Sequence, residues 1–438
     1  MRLHTTDEFT PGRPYWWDGL PDTDLKGQAP EKVDILVIGA GYTGLSAALH
    51  AHDGGASVAI LDAGQPGALA SSRNGGMFGA HPRLGHGELT QKFGADTADA
   101  LFAEANPAMN FVRDLMLREG IECDYQQTGR IQLAWSKAHF QSQCQLARDI
   151  TAKSDVKTTI IPREDLHKEI ATGCYYGGIT FPEHGAIDPR KFHAGLLRAV
   201  QNRGIPVAPN TPATGLKRQN SGFVVSVPGA QIQAEKVILA TNGYTRRPFH
   251  WHRARVFGLP SYLIATEPLP KARLKEIAPT GRMMVETRAR HSYFRISPDG
   301  SRILWGGRAA MVEIDLIKAA HRLRSSMVEV WPSLMDVKIS HVWYGNTGYS
   351  FNHMPHVGQD RGLHYALGFS GSGTVMAPYL GAKAAFQALG DPRGETAYKD
   401  TTLTRHWMHP FERPHFLKAA DFWYRSFVDR RDSWTGRH

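Results

Sequence analysis

The sequence predicts an α/β fold of the mixed α+β kind: a Rossmann-like domain, discontinuous in the chain, with an antiparallel β-sheet domain inserted between its parts. Three observations predict it. A short β-branched run, Val33-Asp-Ile-Leu-Val-Ile38, ends in a glycine-rich turn. Two further segments that join regular elements to sharp turns, 236–244 and 368–389, lie far downstream. Between them run alternating segments suited to a sheet. At 438 residues the chain exceeds an ordinary single core, so two domains are expected, and 42% hydrophobic content is enough to fill both.

Residues 1–32 read as a lead-in arm. Asp7, Glu8, Asp18, Asp22 and Asp24 stand where a secretory signal needs an apolar core, so none is expected. The run from Val33 to Gly39 then reads as a buried parallel strand. Gly39, Gly41 and Gly44 form GxGxxG. The first glycine permits a tight turn, the second lets backbone approach a pyrophosphate, and the third allows close helix packing. Leu45-Ser-Ala-Ala-Leu49 continues as a helix whose first N–H groups and dipole face the phosphates. A second strand, Ser57-Val-Ala-Ile-Leu-Asp62, ends in a carboxylate placed to accept hydrogen bonds from ribose hydroxyls. Together these features point to an adenine dinucleotide without separating FAD from NAD.

The next segment, Gly64 to Met77, holds four glycines, two serines, Arg73 and Asn74. It reads as an irregular loop able to lay N–H groups along a pyrophosphate or an isoalloxazine edge. Glu88 to Glu119 reads as one helix, with Ala98, Leu101, Phe102, Ala105, Met109 and Val112 on its apolar face. A second helix, Asp188 to Arg203, opens on an Asp-Pro cap and closes at Gly204. Strands are expected at 130–135, 236–241, 259–265, 291–296 and 302–306, the last two joined by a hairpin at Asp299-Gly300. Residues 374–389 read as a helix whose N-terminal dipole can stabilise negative charge. The aromatic stretch from Asp391 onward, with Trp407, Phe411, Phe416, Phe422, Trp423, Tyr424, Phe427 and Trp434, is expected to cap the inserted domain or to form an oligomer contact.

Charge and composition bound the partners. The formal charge of +10 is dispersed, and the densest cluster, Arg425, Arg430 and Arg431, is interrupted by Asp429 and Asp432. Nucleic-acid recognition needs a clustered basic face, so no nucleic-acid partner is expected. Cys123, Cys144 and Cys174 fit neither a disulfide scaffold nor a CxxC site, and the 21 histidines show no HExxH spacing. No metal site is expected, and a reducing cytoplasm is the expected compartment. No apolar run approaches the roughly 18 residues of a transmembrane helix.

Tyr15-Trp-Trp-Asp18, Ile38-Gly-Ala-Gly-Tyr-Thr-Gly-Leu-Ser-Ala-Ala48, Ser71-Ser-Arg-Asn-Gly-Gly76, Ala240-Thr-Asn-Gly-Tyr244 and Gly368-Phe-Ser-Gly-Ser-Gly-Thr374 form a recognisable series. On these motifs the chain resembles the D-amino-acid oxidase-like (DAO) family of FAD-dependent oxidoreductases, in the branch of gamma-glutamylputrescine oxidase and related amine oxidases. The resemblance runs to about Leu389 and implies FAD rather than NAD. Beyond Gly39, Gly41, Gly44 and Asp62, it implies cofactor contacts at Tyr42, Thr43, Ala63, Ser71, Ser72, Arg73, Asn74, Gly75, Gly76 and Met77. Later contacts are implied at Ala213, Ala240, Thr241, Gly243, Gly371, Ser372, Gly373 and Thr374. Some relatives attach FAD through a cysteine or a histidine; here 344–358 lacks a cysteine and the early loop has Asn74 and Gly75, so FAD is expected to be non-covalent. The expected division is an arm at 1–32, an FAD-binding domain at 33–118, 185–248 and 340–390, a substrate domain at 119–184 and 249–339, and a C-terminal extension at 391–438.

Flavin-dependent amine oxidation needs an unprotonated nitrogen and a C–H held over the flavin, so the site chiefly orients, excludes water and complements charge. His291, Tyr293 and Arg295 share one strand face, and Arg308 follows Gly306-Gly307 at a position where related amine oxidases carry a substrate-side residue. An arginine there binds a carboxylate bidentately. Tyr262 and His353 complete the candidate set; His81, Arg83 and His356 are weaker members. The expected activity is oxidation of a primary or secondary amine, gamma-glutamylputrescine-like or an N-substituted amino acid, to an imine and then an aldehyde, with electrons passed to O2 to give H2O2. The alternative is a D-amino-acid or N-methyl-amino-acid dehydrogenase using a quinone or electron-transfer protein; a non-catalytic flavin-binding or RNA-associated module is a remote third. A homo-oligomer is compatible with the sequence.

Overall fold

The computed structural model describes residues 3–19, 24–219, 222–399, 401–409 and 414–429. Asp22, Phe411, Arg430, Arg431, Asp432 and Trp434 of the expectations above lie outside the described residues.

An eight-stranded sheet is built around Lys32–Ile38, which pairs in parallel with Val58–Leu61 on one side and Ala230–Leu239 on the other. Leu363–Leu367 extends the parallel set beyond Ala230–Leu239. Both faces are covered, as a parallel sheet requires. Val37, with Ile60 and Ile238 beside it, enters one apolar cluster; Leu36, with Ala59 and Val237 beside it, enters another. On the first face the helices Tyr42–Asp53 and Gly373–Leu389 lie against each other. Their approach depends on Gly381, where a Cβ would fall 2.3 Å from the Thr43 carbonyl oxygen, and is pinned by the Ser46 hydroxyl donating to the Pro378 carbonyl at 2.7 Å.

The second sheet has nine strands in the order Thr5–Pro11, Ile339–Ser350, Val256–Thr266, Ile303–Gly307, Ser292–Ile296, Met283–Glu286, Arg130–Leu133, Gly177–Phe181 and Thr159–Pro162. The expected antiparallel sheet is therefore mixed: its first pair and the pair Met283–Glu286 with Arg130–Leu133 are parallel, the rest antiparallel. The arm contributes an edge strand, and the expected division at residue 340 falls inside a strand of this sheet.

Two local expectations change. The segment 64–77 is not irregular throughout: Ala70–Arg73 makes a helical turn and Met77–Phe78 pairs with Gly185–Ala186. Side chains replace backbone partners there, with Ser72 donating to the Gly67 carbonyl and the Asn74 amide to Ala70 and Ser71. The stretch 88–119 is three helices, His86–Phe93, Ala95–Ala103 and Ala105–Arg118, because Gly94 adopts φ 87° and stops the first. The six apolar positions remain buried. Asp188 caps Pro189–Asn202 by accepting from the N–H groups of Arg190 and Lys191, and Gly300 turns the hairpin at φ 69°.

The C-terminal helix Phe416–Trp423 packs on the inserted sheet through Phe416, against Phe257 and Phe351. Asp421 accepts from the Met311 N–H at 2.8 Å, tying this extension to the segment that follows Arg308. Trp407, Phe422, Trp423 and Phe427 stay exposed. Among the described residues no helix is long and apolar enough to cross a membrane, and no group of three or more His, Cys, Asp or Glu could hold a metal ion.

Candidate active site

A cavity of about 1090 Å³ runs from the carboxyl ends of the parallel strands to the face of the nine-stranded sheet. Ligands collect at such strand ends in open α/β sheets. At one end, Gly39 takes φ 108°, a Cβ on Gly44 would fall 1.7 Å from the Gly39 carbonyl oxygen, and a Cβ on Gly41 would reach 2.8 Å from the Ser71 hydroxyl. The helices Tyr42–Asp53 and Gly373–Leu389 both begin at this cavity, neither with a side-chain cap nor with an acid in its first turn. Helix starts of this kind present N–H groups and positive potential to an anion. Asp62, at the end of the next strand, accepts from the N–H groups of Ala40 at 2.8 Å and Gly64 at 2.9 Å. Burial raises its pKa against those two bonds. A close-approach glycine turn, two uncapped helix starts and a strand-end carboxylate fit the pyrophosphate and ribose of FAD.

The segment Ser71–Met77 forms the next part of the wall and is held from behind by three indoles. Trp16 donates to the Asn74 carbonyl at 2.8 Å, Trp17 to the Ser72 hydroxyl at 2.9 Å and Trp343 to the Arg73 carbonyl at 2.9 Å. The Tyr15-Trp-Trp motif therefore buttresses the loop. Asn74 also accepts from the Gly76 N–H at 2.8 Å, and Arg73 donates to the carbonyls of Ala68, Gly12 and Tyr344.

The inserted sheet supplies the opposite wall. Leu263, Gly306, Tyr293, Val285 and Gln132 lie in register across neighbouring strands, and all but Gly306, which lies beneath the Tyr293 ring, face the cavity. The Tyr293 hydroxyl is 2.9 Å from that of Ser261, and burial pushes its pKa to about 12. Beyond it Arg308 and Arg83 both donate to the Tyr349 hydroxyl, at 2.5 and 2.8 Å, and Arg83 also donates to the Ser370 carbonyl at 2.9 Å. Burial pushes the Tyr349 phenol up, but the two guanidiniums outweigh it and leave the pKa below 10. His291 faces the same cavity; burial, reinforced by Arg308 and Arg83, holds its pKa well below 6.5, so the imidazole is neutral.

Of the expected cofactor residues, Gly39, Gly41, Tyr42, Thr43, Asp62, Ala63, Ser71, Arg73, Asn74, Gly75, Met77, Ala213, Ala240, Thr241, Gly371, Ser372, Gly373 and Thr374 line the cavity. Gly44, Ser72, Gly76 and Gly243 do not: the glycines serve close packing, and the Ser72 hydroxyl is taken up by the Gly67 carbonyl and the Trp17 indole. A Cβ on Gly76 would meet the Ile187 carbonyl oxygen at 2.2 Å, and one on Gly243 the Gly348 Cα at 2.9 Å. Of the expected substrate residues, His291, Tyr293 and Arg308 line it and Arg295, Tyr262 and His353 do not. Arg295 is buried and donates to the carbonyls of Gly76 and Ile187 at 3.1 and 2.9 Å, tying the sheet to the loop. Tyr262 donates to the Val312 carbonyl and accepts from the Ile314 N–H. His353 sits edge-on to Tyr349, behind the wall, and His356 bonds Thr401 and Asn352. Sequence alone does not single out Tyr349 or Arg130, both in the lining. Their only local signal is a polar side chain in an otherwise strand-like run.

A dinucleotide cradle continuous with a sheet-walled chamber defines a flavin-dependent oxidoreductase. The chain belongs to the DAO family of FAD dependent oxidoreductases, whose model matches residues 34–387. It is 29% identical over 393 residues to the probable oxidoreductase OrdL of Rhizobium meliloti (strain 1021), covering 87% of this chain and 89% of that one. It is 26% identical over 360 residues to the gamma-glutamylputrescine oxidoreductase of Escherichia coli (strain K12), covering 82% and 84%. Glycine oxidase from Geobacillus kaustophilus shares the fold, with a TM-score of 0.70 at 19% identity over 86% of this chain and 100% of that one. The protein is thus an FAD-dependent oxidoreductase.

Proposed function

We propose that the enzyme oxidises a primary or secondary amine bearing a carboxylate, an N-substituted amino acid or a gamma-glutamylated polyamine, to an imine that hydrolyses to an aldehyde, with O2 as acceptor and H2O2 as product. The observation that carries this reading is the convergence of Arg308 and Arg83 on Tyr349 within the cavity, with no carboxylate paired to either arginine among the described residues. Two guanidiniums beside a phenol bind a carboxylate by charge-assisted hydrogen bonds. FAD, when bound, supplies a two-electron acceptor for the amine C–H. The chain's own residues orient the amine and favour its neutral form. Arg308, Arg83 and Tyr349 fix the carboxylate, and Tyr293 sets the height of the substrate above the loop Ser71–Met77. The burial that, with the charges of Arg308 and Arg83, keeps His291 neutral also disfavours an ammonium nearby, so the amine loses its proton on binding.

The relative that acts on a gamma-glutamylated polyamine supports that substrate class. The test is an anaerobic titration of the yellow holoenzyme with a panel of N-alkylglycines, gamma-glutamylputrescine, D-amino acids and simple amines. Bleaching by a carboxylate-bearing amine, followed by rapid recovery and peroxide formation in air, is the expected result. No bleaching with any member refutes amine oxidation, and recovery only with an artificial quinone refutes O2 as acceptor.

A further inference from the structure

We propose that Arg130, with His81 and Gln132, forms a second anion-binding subsite, at the end of the cavity away from Arg308, that reads a carboxylate on the far end of the amine substrate. The proposal rests on the amine-oxidising reading above and names a substrate class within it.

Arg130 and Gln132 stand two apart on the strand Arg130–Leu133, so their side chains share the cavity face. Gln132 lies opposite Val285, and Val285 opposite Tyr293. Two strand spacings put Gln132 roughly 10 Å from Tyr293, and Arg130 lies a further roughly 7 Å along its strand. One connecting segment joins the two ends of the chamber. From it His81 reaches Arg130 and Arg83 reaches Tyr349.

The surroundings of Arg130 are unusual for a guanidinium. It is half-buried in the cavity wall, 4.5 Å over the Phe181 ring, with Nη2 at 2.9 and 2.8 Å from the two His81 ring nitrogens. Its Nε is buried without a partner, and no carboxylate pairs with it among the described residues. Desolvation, and Arg130 beside it, hold His81 neutral, so it offers no counter-charge. Arg288, which faces the same cavity, is by contrast saturated by Glu286 and Glu329. An unpaired buried cation is costly, and burial lowers the Arg130 pKa to about 9. A substrate carboxylate supplies the missing charge, while the Gln132 amide offers a further donor. The chamber then suits an amine with one carboxylate beside the oxidised carbon and a second several bonds away.

The experiment compares two probes of equal length on the holoenzyme, N-(4-carboxybutyl)glycine and N-pentylglycine, which differ in a terminal carboxylate against a methyl. A wild-type preference of at least tenfold in kcat/KM for the dicarboxylate is expected. It should collapse toward unity in Arg130→Gln, survive in part in Arg130→Lys and weaken in Gln132→Leu. A wild-type ratio near or below one overturns the proposal, as does a ratio unchanged in Arg130→Gln. If Arg130→Gln fails to fold, the wild-type ratio and its response to Gln132→Leu decide. If neither probe is oxidised, the amine-oxidising reading is what fails for this class, and the subsite is read from the shift in the flavin spectrum on binding. Tighter binding of the dicarboxylate supports it, and equal binding overturns it.

Discussion

Tyr293 occupies a slot that two glycines leave open, and Gly306→Ala closes it. A Cβ at 306 would lie 2.3 Å from both Cε2 and Cζ of Tyr293 and 2.7 Å from its hydroxyl, whereas a Cβ at 75 would press the ring at 2.8 Å from the other side. Non-bonded carbons sit about 3.5–4.0 Å apart, so the ring must move by roughly 1 Å. It cannot step back freely, because the Gly75 backbone lies behind it and its hydroxyl is held at 2.9 Å by Ser261. Overpacking of this kind costs about 1–3 kcal/mol. Misplacing a positioning group by about 1 Å costs on the order of 100-fold in rate. Gly306→Ala should therefore lose about 100-fold in kcat/KM with a carboxylate-bearing amine, keep its FAD and show a lower Tm. Adding Tyr293→Leu should restore the Tm without the rate, since the two substitutions share one space. Steady-state kinetics, the flavin-to-protein absorbance ratio and thermal melts provide the readouts. Wild-type kcat/KM in Gly306→Ala would refute the assignment of Tyr293 to substrate positioning.

The guanidiniums of Arg308 and Arg83 lower the Tyr349 pKa below 10, so raising the pH through that value creates a phenolate that partly neutralises both arginines; KM for carboxylate-bearing amines should rise on this alkaline limb. Tyr349→Phe should abolish the limb, and its persistence in the variant would show that another group titrates. Trp16→Phe leaves the Asn74 carbonyl without its indole donor, at a cost of about 1–3 kcal/mol, so FAD should dissociate about 5- to 150-fold more readily in equilibrium dialysis. Unchanged affinity would exclude a role for the arm in holding the loop. None of Cys123, Cys144 and Cys174 lines the cavity, and acid precipitation should release the flavin into the supernatant; a yellow pellet would contradict non-covalent binding.

What the sequence discloses and what it hides follow from how far apart the interacting groups lie in the chain. Gly39, Gly41, Gly44 and Asp62 work within one βαβ unit, where each glycine answers a steric need created a few residues away, so their roles are readable locally. Arg308 is readable because paired glycines precede it at a strand end. Arg295 shows the limit: alternation correctly puts it on the face of Tyr293, but what that face meets at its level is the carbonyls of Gly76 and Ile187, which no local pattern discloses. Tyr349 is hidden for the same reason, since the arginines that converge on it come from segments 41 and 266 residues away. The Trp16 and Trp17 indoles act 58 and 55 residues from their positions, so the opening motif reads as a family mark before it reads as a brace. The cofactor end is thus a local device and the substrate end a meeting of distant segments. Substitutions in the latter can change selectivity while the FAD turn stays intact.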